Sequence, residues 1–156
     1  MIKDRNISSS TITRSKLTGA ALSESVMRGL PTVTTTGAVT VYLIAPEAGT
    51  LSSVDFAGAT ALAANDTNYI TFTLVNKGQA GSGSTAMLAA TDANTSKATG
   101  GAAIVQYGKR ALTLNGTAAN LDVVKGDVLA LTVTAAGTLA NTITLPTVLL
   151  RFGGTT

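Results

Sequence analysis

The stretch "NYITFTLVNKG" places Ile70, Phe72 and Leu74 at alternate positions with Thr71 and Thr73 between them. A period of two sends the large apolar side chains to one face of an extended chain and the threonines to the other, which predicts a half-buried β-strand. The period returns in "GDVLALTVTAAGT", where Leu129, Leu131 and Val133 alternate with Ala130, Thr132 and Thr134, and in "KRALTLNGT", where Leu112 and Leu114 share a face. "AVTVYLIAPEAG" sets Val39, Val41 and Leu43 opposite Tyr42 and Ile44 and stops at Pro46, and "TLSSVDFAG" buries Val54 and Phe56. "STAMLAAT", "AAIVQY", "NLDVV" and "NTITLPTVLLRF" complete a set of eight or nine strands, the last bent at Pro146 because proline has no N–H to give a ladder.

Between these runs lie "KGQAGSGS", "DANTSKATGG", "NGTAAN", "VKGD" and "AAGTLAN", rich in the residues that tight turns need. Short strands at regular spacing, without helices between them, predict an all-β chain: an antiparallel β-sandwich, with an eight-stranded jelly roll as first choice over a barrel. The one helix candidate is "TGAALSESVMRGLP", where Leu22, Val26 and Leu30 recur every four residues, Glu24 and Arg28 can pair, and Pro31 ends the run.

Charge divides the chain. Up to residue 36, five basic residues (Lys3, Arg5, Arg14, Lys16, Arg28) face two acids (Asp4, Glu24); from Gly37 onward six of each sign cancel, so the formal net charge of +3 belongs to the leader. The chain accordingly divides into an extended N-terminal arm, 1–36, with a possible short helix, and a β-sandwich domain, 37–156. The arm has too few apolar residues for a core, but Ile2, Ile7, Ile12 and Leu17 recur every five residues and are enough to anchor a strand on another surface. Its cations are sparse and lack aromatic or glycine-arginine repeats, which argues against nucleic acid as the partner. No apolar run reaches the roughly 20 residues of a membrane helix, and no secretory signal follows Arg5.

With no Cys and no His, disulfides, thiolate or imidazole metal sites and the Ser-His-Asp and Cys-His catalytic arrangements are excluded. The remaining motifs favour structural roles. "GQAGSGST" has the glycines of a phosphate loop but Ser84 where a lysine is required, and reads as a hairpin loop. Asp66 and Asp92 are lone acids suited to Asx turns, with a shared cation only if folding joins their loops. Asp127 in "KGD" reads as a cap on backbone amides, and Glu47 as a turn residue, so no glycosidase pair is assigned. Tyr42, Tyr69 and Tyr107 are scattered and there is no Trp, which disfavours a sugar-stacking platform. No catalytic residue, cofactor or metal is expected. Near the C-terminus, Val148, Leu150 and Phe152 alternate with Leu149 and Arg151, leaving apolar residues on both faces; Val148, Leu149, Leu150 and Phe152 are therefore candidates for a subunit interface.

A polar basic leader before a small Ala/Thr/Gly-rich body with "VYLIAPEAGTLSSVDFAG", "TNYITFTLVNKG" and "KGDVLALTVTAAGT" resembles the head decoration, or cement, proteins of tailed bacteriophages, over roughly Val39 to Phe152. The resemblance is one of texture and strand order. It implies a jelly-roll homotrimer on the outer surface of the virion, made in the host cytoplasm, that stabilises the shell by bridging major capsid subunits and carries no catalytic residues. Lys3, Arg5, Arg14, Lys16 and Arg28 would then steer the arm onto an acidic shell, with Ile2, Ile7, Ile12 and Leu17 as its apolar anchors. Similar jelly rolls occur in tail tips, fibres and head fibres, so a module that binds host-surface polysaccharide stands as the alternative.

Overall fold

The computed structural model describes residues 24–153. Among these residues nine strands form two antiparallel sheets: β1 (Glu24–Gly29), β2 (Gly37–Ile44), β3 (Gly49–Ala57), β4 (Tyr69–Asn76), β5 (Thr85–Ala86), β6 (Arg110–Leu112), β7 (Asp122–Val123), β8 (Val128–Ala136) and β9 (Thr147–Gly153). Sheet 1 runs β1-β9-β3-β6, with β7 also paired to β3, and sheet 2 runs β2-β8-β4-β5. The pairs nest along the chain: β1 with β9, β2 with β8, β3 with β6 and β4 with β5. Among the described residues there is no α-helix, only two single 3-10 turns.

The core lies between the sheets and is built from the alternations seen in the sequence. Ile70, Phe72 and Leu74 from β4, Leu129, Leu131 and Val133 from β8, and Val41 and Leu43 from β2 face Val54 and Phe56 from β3 and Val148, Leu150 and Phe152 from β9, all buried. Removing each such side chain from water stabilises the fold by about 1.5–3 kcal/mol. At the centre the two sheets meet through Phe56 and Phe72, edge to face with centroids 4.8 Å apart.

Three expectations need correction or refinement. The segment expected to be helical is strand: Glu24–Gly29 pairs residue for residue with Phe152 back to Thr147. Four-residue spacing is an even number, so Val26 and Leu30 share a face in a strand as well as on a helix; here Val26 packs on the core and Leu30 is buried in it. Residues 24–36, assigned to the arm by charge, thus supply β1 and two core residues, Leu30 and Val33. The interface candidates on β9 divide as well. Val148, Leu150 and Phe152 fill the chain's own core, because β9 is an interior strand between β1 and β3. Leu149 alone points outward.

Candidate interaction surface

The outer face of sheet 1 depends on a bulge. In β3 the register against β9 slips between Leu51 and Ser53, leaving Ser52 over. Its hydroxyl donates to the carbonyl of Arg151 at 3.0 Å. Without the slip, Leu51, Ser53 and Asp55 would share one face; with it, Val54 and Phe56 join Leu51 in the core and Asp55 turns outward.

Asp55 lies in a row across four strands, Met27–Leu149–Asp55–Ala111, flanked by the rows Ser25–Arg151–Ser53 and Gly29–Thr147–Ala57. Although on the outer face it is only 6% exposed. Arg151 Nη1 donates to its Oδ2 at 2.6 Å and Lys109 Nζ stands 3.5 Å from its Oδ1. A buried carboxylate is costly unless paired and hydrogen-bonded, and here two cations share that task. Met27, Leu149, Ala57 and Thr147, with Asp55, Lys109 and Arg151, line a hollow of about 190 Å³.

Ala57 and Thr147 also line a second hollow, of about 280 Å³, with Gly58, Ala59, Tyr107 and Leu145. Tyr107 and Leu145 are the described non-glycine residues with positive φ, at 56° and 46°. Left-handed backbone costs an L-residue roughly 1–2 kcal/mol, and Leu145 precedes Pro146, where an extended conformation is favoured. Both side chains are exposed, 77% and 79%. Their conformations are held by the frame: Tyr107 N donates to the Gly58 carbonyl at 2.8 Å, and Leu30 N to the Pro146 carbonyl at 2.8 Å. Gly58 must lack a side chain, since a Cβ there would sit 2.6 Å from Ile143 Cγ2.

Sheet 2 presents a different outer face. Its rows are Thr40–Thr132–Thr73 and Tyr42–Ala130–Val75, with Thr40 and Thr132 hydroxyls bonded at 2.8 Å and Tyr42 and Ile44 largely exposed on the edge strand.

The remaining polar residues hold loops. Arg110, unremarkable in the sequence, is buried and donates to the carbonyls of Ala93, Ala102 and Thr95 while its guanidinium lies 5.3 Å from the centre of the Phe72 ring. Burial pushes its pKa down from the ordinary arginine value. Asp127 Oδ2 accepts from Val124 N and Asn76 Nδ2, both at 2.9 Å, the amide-capping role its sequence context predicts. Glu47 is paired with Lys125 at 3.0 Å. Residues 77–84 are the hairpin loop between β4 and β5, with Gly78 and Gly81 at positive φ. Asp66 accepts from the Thr99 N–H and hydroxyl, which hold its carboxyl below the usual value, and Asp92 pairs with Lys97 at 2.8 Å. No three His, Cys, Asp or Glu side chains gather into a metal-binding group among the described residues.

Of the arm residues, Arg28 is on β1, exposed and opposite Val148. Ile2, Lys3, Arg5, Ile7, Ile12, Arg14, Lys16 and Leu17 lie outside the described residues. The sequence does not announce the groove on sheet 1; the Ser52-Ser53 pair that interrupts the alternation between Leu51 and Val54 marks only the bulge. Comparison of the chain with protein-family models, characterised proteins and solved structures finds no match.

Proposed function

We propose that this chain is a non-enzymatic virion structural protein that docks on the outer surface of a phage capsid and stabilises it by bridging major capsid subunits. The observation that carries the reading is the apolar groove on sheet 1, an exposed surface with a cationic rim and a strained border, suited to gripping a protein. The nested strand pairing supports the finer assignment of the body as a jelly roll. The basic leader supplies a second, electrostatic attachment, and a homotrimer would multiply both through effective concentration. Such a trimer must use surfaces other than Val148, Leu150 and Phe152, which are already buried.

A second reading, a tail or head-fibre module that binds host polysaccharide, is favoured by Tyr107, whose exposed ring beside the groove offers a stacking surface. Cryo-electron microscopy of the virion decides between the two. Density for the sandwich on the shell, with sheet 1 towards the capsid, is the expected result; density confined to the tail or fibres would favour glycan binding.

A further inference from the structure

We propose that the sheet 1 groove is the docking site for an extended acidic segment of a protein partner, which packs an apolar side chain against Met27 and Leu149 and places a carboxylate on Lys109 and Arg151. The proposal rests on the reading of the chain as a docking protein but not on the partner being a capsid.

Charge fixes the sign of the occupant. Asp55 is buried with one cation on each oxygen, so one positive charge remains uncompensated at the rim. Lys109 and Arg151 side chains are 70% and 46% exposed, leaving donors that face water. Asp55 holds the Arg151 head in place before a partner arrives, which lowers the ordering cost of binding. Shape fixes the kind of occupant. At about 190 Å³ the first hollow is smaller than the roughly 300–1,000 Å³ of small-molecule sites and suits one inserted side chain. The two hollows meet at Ala57 and Thr147, two positions along their strands from Asp55 and Leu149. That step matches the two-residue repeat, about 6.8 Å, of an extended chain.

The chain's own leader is a poor occupant, since residues 1–23 carry Lys3, Arg5, Arg14 and Lys16 against Asp4, the same sign as the rim. A second copy meeting face to face would oppose Lys109 and Arg151 to their equivalents.

The test is an NMR titration of the full chain, with methyl and amide probes, against two acetylated six-residue peptides that carry leucine and glutamate, or leucine and lysine, two positions apart on one face with serine between them. The expected result is that only the glutamate peptide shifts the Met27 and Leu149 methyls and the β1 amides, and that Lys109→Glu and Met27→Ser, both at exposed positions, each weaken it at least tenfold. Equal response to both peptides, shifts confined to the sheet 2 face, or no response at millimolar peptide would overturn the proposal. So would Met27 and Leu149 shifts that depend on protein concentration, which mark a second copy, or that follow deletion of residues 1–23, which mark the leader. Because no capsid enters the experiment, its failure leaves the capsid reading to be judged separately.

Discussion

Arg151 Nη1 lies 2.6 Å from Asp55 Oδ2 across the outer face of sheet 1, while Val54 and Phe56, the sequence neighbours of that carboxylate, point into the core. The contact is asymmetric, since Asp55 is nearly buried and Arg151 about half exposed. Removing the cation should therefore cost more than removing the anion. Arg151→Gln leaves Asp55 with Lys109 alone at 3.5 Å and is expected to cost about 2–3 kcal/mol; Asp55→Asn frees an arginine that water can solvate and should cost about 1 kcal/mol. Urea denaturation of the two variants measures the order, and the reverse order would show that the frame does not depend on pairing Asp55.

Arg110 makes a second prediction. Its guanidinium serves the carbonyls of Ala93, Thr95 and Ala102, tying the 89–103 loop to β6. Arg110→Met keeps the stem and strips the donors, so the loss should be about 2–4 kcal/mol, a melting-temperature drop of roughly 5–15 °C for a chain of this size. Arg110→Lys should fall in between, because one ammonium cannot match the planar fork. A thermal melt in which methionine equals the parent would contradict the role.

Leu145 tests whether strain serves the groove. Leu145→Gly removes the side-chain penalty at φ 46° but frees the unfolded chain, for a net gain of a few tenths to 1 kcal/mol. The same change removes one wall of the larger hollow. The expected outcome is a more stable protein that binds the glutamate peptide less well; a variant both less stable and unaltered in binding would separate strain from function.

Asp66 makes an acid-sensitive contribution. Its folded-state pKa lies below the ordinary 3.8 because the Thr99 amide and hydroxyl bond the carboxylate. The stability it contributes is present above the unfolded value and is lost as pH falls through the lower, folded one. Asp66→Asn should thus melt below the parent at pH 7, and the gap should narrow as pH falls below about 3.8 and close only below the lower, folded value. A gap that persists at pH 2 would point to some other cause.

How much of this was legible in the residues follows from which periods are unambiguous. Ile70, Phe72 and Leu74 allow one reading, and so do Leu129, Leu131 and Val133; both sets are core strands. Val26 and Leu30, four apart, satisfy helix and strand alike, and only the pairing of β1 with β9 decides between them. The alternation on β9 was clear, but burial on one face or two depends on whether a strand is interior, which is topology and not local pattern. The groove was least visible: Met27, Asp55, Tyr107, Lys109 and Leu149 are brought together by four strands and one bulge, and nothing in their spacing announces it.

Docking on a capsid is tested most directly by co-sedimentation of the intact chain with capsids assembled without it, at low and high salt. Saturable binding at a fixed ratio of chains to capsid subunits is expected, weakened by high salt and by Met27→Ser and Lys109→Glu, while deletion of residues 1–23 slows association most at low salt. Absence of co-sedimentation at micromolar concentration, with the chain folded by circular dichroism, would contradict capsid docking.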